Sequence, residues 1–211
     1  MRNESKIVRK VFLIYFLVLP FIFLSCGKEY TSEEKKYISG LENFRQEKNE
    51  YMQNDPDSPF NFKGKVHFSS LNYYDPDPEF VFKSKLFRYD NADTITIFGT
   101  KGEERKVLRF GYVNLNYKDN QYKVNVSEGV SKTGEIYYSI WFTDKTTGEE
   151  TYGVGRYIDF EINPDTNFIY TIDFNLAYNP YCAYSPEYSC AIPAKEDYID
   201  LAIEAGEKNF H

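Results

Sequence analysis

Two carboxylates, two cysteines and one arginine carry most of the chemistry this chain could perform. Asp159 and Asp173 stand on strand-like runs joined by a short loop, with Arg156, Tyr157 and Asn175 beside them. Two carboxylates held within about 7–8 Å can act as an acid/base pair or hold a cation. The competing reading is a solvated sheet face on which Arg156 neutralises a neighbour. Cys182 and Cys190 lie in a loop rich in Pro, Tyr and Ser. In an oxidising compartment a disulfide is the default, worth roughly 2–3 kcal/mol for so short a loop. Two free buried thiols, or a Cys182 thiolate acting as nucleophile, are the other uses. Neither His67 nor His211 stands in a zinc or nucleophile motif, and Gly153-Val154-Gly155 lacks the third glycine of a dinucleotide loop. No cofactor and no metal site is expected.

The elements that must position these residues are read from apolar alternation. Ile158, Phe160 and Ile162 alternate with Tyr157, Asp159 and Glu161, and Phe168, Tyr170, Ile172 and Phe174 alternate with polar neighbours. A loop over Asn163 to Asn167 makes these a hairpin with Phe160 opposite Tyr170 and Ile158 opposite Ile172. Tyr157, Asp159, Asp173 and Asn175 then share its outer face. Upstream, strands are expected over 65–68, 80–87, 94–98, 106–117, 122–126 and 136–142, separated by turn residues such as Asp75-Pro76-Asp77-Pro78 and Lys118-Asp119-Asn120. The last segment, 194–211, alternates as a strand through Ile199, Leu201 and Ile203. Twenty Tyr and eighteen Phe against one Trp also favour sheets. One helix precedes them, capped by Thr31 and stopped near Asp55-Pro56, with Tyr37, Leu41, Phe44, Lys48, Tyr51 and Met52 at helical spacing. The expected fold is mainly β: a single antiparallel β sandwich or barrel-like domain with one N-terminal helix.

The first 25 residues read as a targeting segment. Arg2, Lys6, Arg9 and Lys10 precede an apolar run from Val11 to Leu24, shorter than the roughly 20 residues of a membrane span. The run ends in Phe23-Leu24-Ser25-Cys26, which resembles a bacterial lipoprotein signal with lipid attached at Cys26. The organisation expected is a signal peptide over 1–25, an anchor and helix over 26–58, and a β domain over 59–211 continuous with the helix. The place expected is the bacterial cell envelope, bound to a membrane through palmitate-type chains on Cys26, with a small ligand or an envelope protein as partner. Removing the four basic residues and Glu4 moves the formal charge from -7 to -10. So acidic a chain lacks the basic footprint that nucleic acid requires.

Glu150-Thr-Tyr-Gly-Val-Gly-Arg-Tyr-Ile-Asp159, the run from Asp173 to Pro186 and Ala205-Gly206-Glu207-Lys208 together resemble the domain of unknown function 1684 family. The resemblance extends back through Ser70 to Pro78 and covers nearly the whole chain beyond Cys26. It implies no activity, because the family's name records that none is established. Carried over residue by residue, it adds Tyr178, Asn179 and Glu207 to the candidate patch of Arg156, Tyr157, Asp159, Asp173 and Asn175. It also implies that relatives without an export segment keep both cysteines. Two functions follow as expectations: a binding or envelope-associated module, or a hydrolase-like enzyme working through Asp159 and Asp173 or through a Cys182 thiolate.

Overall fold

Alternation of apolar and polar residues builds two antiparallel sheets here, and their apolar faces close on each other. The computed structural model describes residues 28–62, 66–131 and 133–211. The larger sheet uses β2 (Phe87–Arg88), β3 (Thr94–Phe98), β4 (Glu104–Tyr117), β5 (Asn120–Val130), β6 (Ile136–Asp144) and β7 (Arg156–Phe160). Its order is β2-β4-β5-β6-β7, with β3 also on β4. The smaller sheet pairs β1 (Val81–Ser84) with β8 (Tyr170–Asp173). Between them lies a core of Phe82, Val113, Leu115, Val126, Ile140, Phe142, Ile158, Ile172 and Phe174, all buried. The fold is mainly β and sandwich-like, with one helix and no closed barrel among the described residues.

Helix α1 (Ser32–Asn54) begins as its sequence dictates. The Thr31 hydroxyl accepts the Glu34 N–H, and the Glu34 carboxylate accepts the Thr31 N–H in return. This reciprocal cap satisfies donors that the first turn would leave open. Leu41, Arg45 and Met52 turn inward, whereas Phe44 and Tyr51 stay largely exposed. Thr31–His211 form one compact unit. No helix among the described residues is long and apolar enough to cross a membrane. Cys26 and the expected signal segment lie outside the described residues.

The expected hairpin does not form. β7 pairs with β6, with Trp141 opposite Tyr157 and Ser139 opposite Asp159, while β8 pairs with β1. Phe160 and Tyr170 do meet, with ring centroids 4.7 Å apart and stacked, but across the core between sheets. Alternation fixes which side chains face the core. It does not choose the neighbouring strand, and the residues between Phe160 and Tyr170 are enough to cross from one sheet to the other.

Two further segments depart from the expected strands. Residues 66–68 are irregular, with Val66 and Phe68 packed on the cluster of Met52, Phe60 and Tyr184. Of 194–211 only β9 (Tyr198–Ile199) is a strand, and it runs parallel to β6. Beyond it the chain forms no further named strand: Glu207 makes an isolated antiparallel bridge with Tyr73, and Arg156 takes the carbonyls of Ile203, Ala205 and Glu207. The strand expected through Ile199, Leu201 and Ile203 therefore ends at Ile199, and Gly206 turns the chain at a φ of +78°.

Candidate functional site

The outer face of the large sheet carries the odd-numbered residues of β6 and β7: Tyr137, Ser139, Trp141, Tyr157 and Asp159. Their even-numbered neighbours Ile140, Phe142, Ile158 and Phe160 point into the core. On that outer face Ser139 and Trp141 are themselves buried, so the second face of β6 is covered too. The cover comes from α1 and from the loops around 178–191. Between sheet and cover lies a cleft of about 660 Å³.

Rings dominate its walls. Tyr137, Trp141, Tyr157 and Tyr178 form a chain with successive centroids 6.3, 6.0 and 5.9 Å apart. Tyr181 and Tyr188 meet edge to face at 5.2 Å on the loop side. Helix α1 adds Phe44, Glu47, Lys48 and Tyr51, spaced as one helical face. Phe44, Tyr51 and Tyr137 keep 43, 39 and 38% of their surface exposed, and all three line this cleft. Clustered exposed apolar rings in a concavity mark a binding surface more than scattered ones do.

Local chemistry places each wall. Tyr178 exchanges both backbone hydrogen bonds with Tyr157 at 2.9 Å, so the chain before Asn179-Pro180 extends the sheet by one bridge. The Tyr178 hydroxyl donates to Asp159 Oδ1 at 2.6 Å. Burial, then the Asp159 charge, raise its pKa. The Tyr157 hydroxyl donates to the Ala191 carbonyl, and burial raises its pKa as well. At the other rim the Ser189 hydroxyl and Arg105 hold the Glu103 carboxylate down to about 2, and Arg105 also donates to the Ser189 carbonyl at 2.7 Å. The turn between β3 and β4 thus anchors the loop that carries Cys190.

Of the patch expected from the sequence, Tyr157, Asp159 and Tyr178 line the cleft. The others do not. Asp159 and Asp173 lie on different sheets, so the carboxylate pair is absent. Asp173 is buried, accepting the Tyr37 hydroxyl at 2.7 Å and the Asn175 N–H at 2.9 Å, and caps the turn that follows β8. Asn175 bonds both ways to the Asp77 backbone. Arg156, 1% exposed, projects from the core face of β7 to Asp144 at 2.9 Å. Asn179 donates to Lys208 O and to Glu207. Glu207 is buried and also takes Lys48 at 2.8 Å and the Tyr184 hydroxyl. These five residues hold the C-terminal run and the turns in place.

Cys182 and Cys190 are free thiols in this structure, not a disulfide. The Cys182 N–H donates to Cys190 Sγ at 3.2 Å, and Cys190 lines the cleft. A hydrogen bond from the Cys190 thiol lowers the Cys182 pKa to about 6 against burial, helped by the Tyr152 hydroxyl and Thr100, while Cys190 is raised by the same bond and by burial. Of the two thiols, Cys182 is therefore the one whose thiolate is favoured. Among the described residues no group of three or more His, Cys, Asp or Glu is placed to hold a metal ion.

The residues missed by sequence reasoning are Phe44, Tyr51, Arg105, Tyr137, Ser139, Trp141, Tyr181, Tyr188 and Ser189. The signal available was partial: the outer positions of β6 read Tyr137, Ser139, Trp141 and Thr143, two large rings among small polar residues.

The family model described as "Protein of unknown function (DUF1684)" matches residues 66–208. The solution NMR structure of an uncharacterized protein from Haloarcula marismortui is similar, with a TM-score of 0.58 and 25% identity, covering 83% of this chain and 96% of that one. No curated protein matches.

Proposed function

Since the chain belongs to the DUF1684 family of proteins of unknown function, membership supplies no activity, and we propose one from the cleft: the protein is a binding module for a small ligand with an apolar body. The observation that carries this is the convergence of the exposed rings of Phe44, Tyr51 and Tyr137 with Asp159 on one concavity of about 660 Å³. That volume falls in the range of ordinary small-molecule sites. The test is a thermal-shift screen of small organic compounds, repeated on Tyr51→Ala. Tyr51 is exposed, so the substitution leaves the melting temperature of the free protein nearly unchanged. Hits should lose roughly tenfold in affinity on Tyr51→Ala; hits indifferent to it and to Phe44→Ala contradict the reading.

We place this module in the bacterial envelope, lipid-anchored through Cys26. The support is the basic and apolar start of the sequence ending at Leu24-Ser25-Cys26. Labelled palmitate entering the protein, and failing to enter Cys26→Ala, is the expected result; label retained by Cys26→Ala refutes it.

A second reading is favoured by the lowered pKa of Cys182. With Cys190 as its neighbour, the pair would close to a disulfide, losing two protons and two electrons to a thiol–disulfide oxidant. This suits an oxidising compartment better than hydrolysis does, since the thiolate's hydrogen-bond partners are Cys190, Tyr152 and Thr100 and none of them is a histidine.

A further inference from the structure

Resting on the cleft as the binding site, we infer that its ligand is an organic cation: an ammonium group on an apolar body, seated against Asp159 and the open aromatic faces. The argument begins with the charges that face the cleft. Both cations are already matched, Lys48 by Glu207 at 2.8 Å and Arg105 by Glu103. The carboxylates are not. Asp159 is bonded by the Tyr178 hydroxyl, and among the described residues neither it nor Glu47 forms an ion pair. Two carboxylates thus stand at the cleft with no cationic side chain paired to them, both exposed to solvent, where they attract a cation by an interaction that salt screens.

The rings add to the same preference. A cation over an aromatic face is attracted by the ring quadrupole. The protein already uses this attraction at the cleft wall, where Lys48 Nζ stands 4.7 Å from the Tyr178 ring centroid. The Tyr157 and Tyr178 hydroxyls donate to Ala191 O and to Asp159, which fixes their rings and directs their donors away from a ligand. A neutral polyol would take hydrogen bonds but gain nothing from the charge of the two carboxylates. An anion would meet two unopposed carboxylates. An inorganic cation would need more ligating groups than are placed here, since no cluster of three or more exists among the described residues.

The test compares choline with its uncharged isostere 3,3-dimethylbutan-1-ol, and both with maltose, by fluorescence titration. The single tryptophan, Trp141, lies in the cleft wall and reports occupancy. Choline is expected to bind roughly tenfold or more tightly than the alcohol. Asp159→Asn keeps an acceptor for the Tyr178 hydroxyl, and it should lower choline affinity by about tenfold while leaving that of the alcohol unchanged. Equal binding of choline and the alcohol, or tighter binding of maltose, overturns the cation inference and leaves the cleft as a site. Absence of choline binding at millimolar concentration also overturns it, and the Tyr51→Ala series then decides separately whether the cleft binds anything.

Discussion

A buried guanidinium is the residue this fold can least replace. Arg156 is held to Asp144 and to three carbonyls of the C-terminal run, and its burial lowers its own pKa while Asp144 opposes that shift. Arg156→Ala leaves the Asp144 charge in the interior, so urea unfolding should show a loss of about 3–5 kcal/mol, as expected when one partner of a buried pair is removed. Gly155 delivers this arginine: its φ of +110° and the approach a Cβ would make to the Phe142 carbonyl admit no other residue without strain. Cys182 makes a separate prediction. Its thiol is protonated and slow below pH about 6 and thiolate above it, so alkylation should rise through that pH, where an ordinary thiol rises near 8.5. In Cys190→Ala the donor that holds the pKa down is removed, and the profile should move upward. A profile unchanged by Cys190→Ala, or absence of alkylation before reduction, would contradict the thiol arrangement described above.

At the level of elements, the sheet is shaped to present rings. Gly129 on β5 lies opposite Tyr137 on β6, and a Cβ there would meet the Tyr137 ring at 2.5 Å. The missing side chain lets that ring lie across the sheet at the cleft edge. Because Tyr137 is partly exposed, Gly129→Ala should tilt the ring rather than unfold the sheet. Ligand affinity should fall while the midpoint of urea unfolding moves little, and an unchanged affinity would remove Tyr137 from the site. Much of this was legible in the sequence: Thr31 and Asp55-Pro56 bounded α1, and the alternation of β7 and β8 chose the core face. What was not legible was strand partnership. Tyr157 was correctly placed on the outer face with Asp159, yet its neighbours are Trp141 and Tyr178, because pairing is decided by long-range packing of whole sheets and not by local pattern. Asp173 moved out of the site for the same reason.

For the molecule as a whole, one set of polar residues secures the fold and another faces the cleft, and the two meet at Lys48. This lysine joins the buried Glu207 to the cleft wall beside Tyr178. The Gly-x-Gly-Arg turn, Asn175, Asn179 and Glu207 were the sequence's most distinctive positions, and they proved to be the ties of the C-terminal run. Distinctive motifs signalled buried polar networks here, whereas the cleft is built from tyrosines that the composition spreads along the whole chain. Removal of residues 203–211 should therefore abolish cooperative unfolding, because Arg156 and Asp144 lose the run they hold; a truncated chain that still unfolds cooperatively would refute that role. Ligand binding at the cleft beneath α1 is the property from which the proposed function follows. It is tested most directly by the Trp141 indole proton, a single resonance in the NMR spectrum of this one-tryptophan chain. Titration with compounds that stabilise the protein should shift that resonance in saturable fashion, and in Tyr51→Ala at higher concentration. Compounds that stabilise the protein and shift other amides while leaving the indole unmoved would contradict the account.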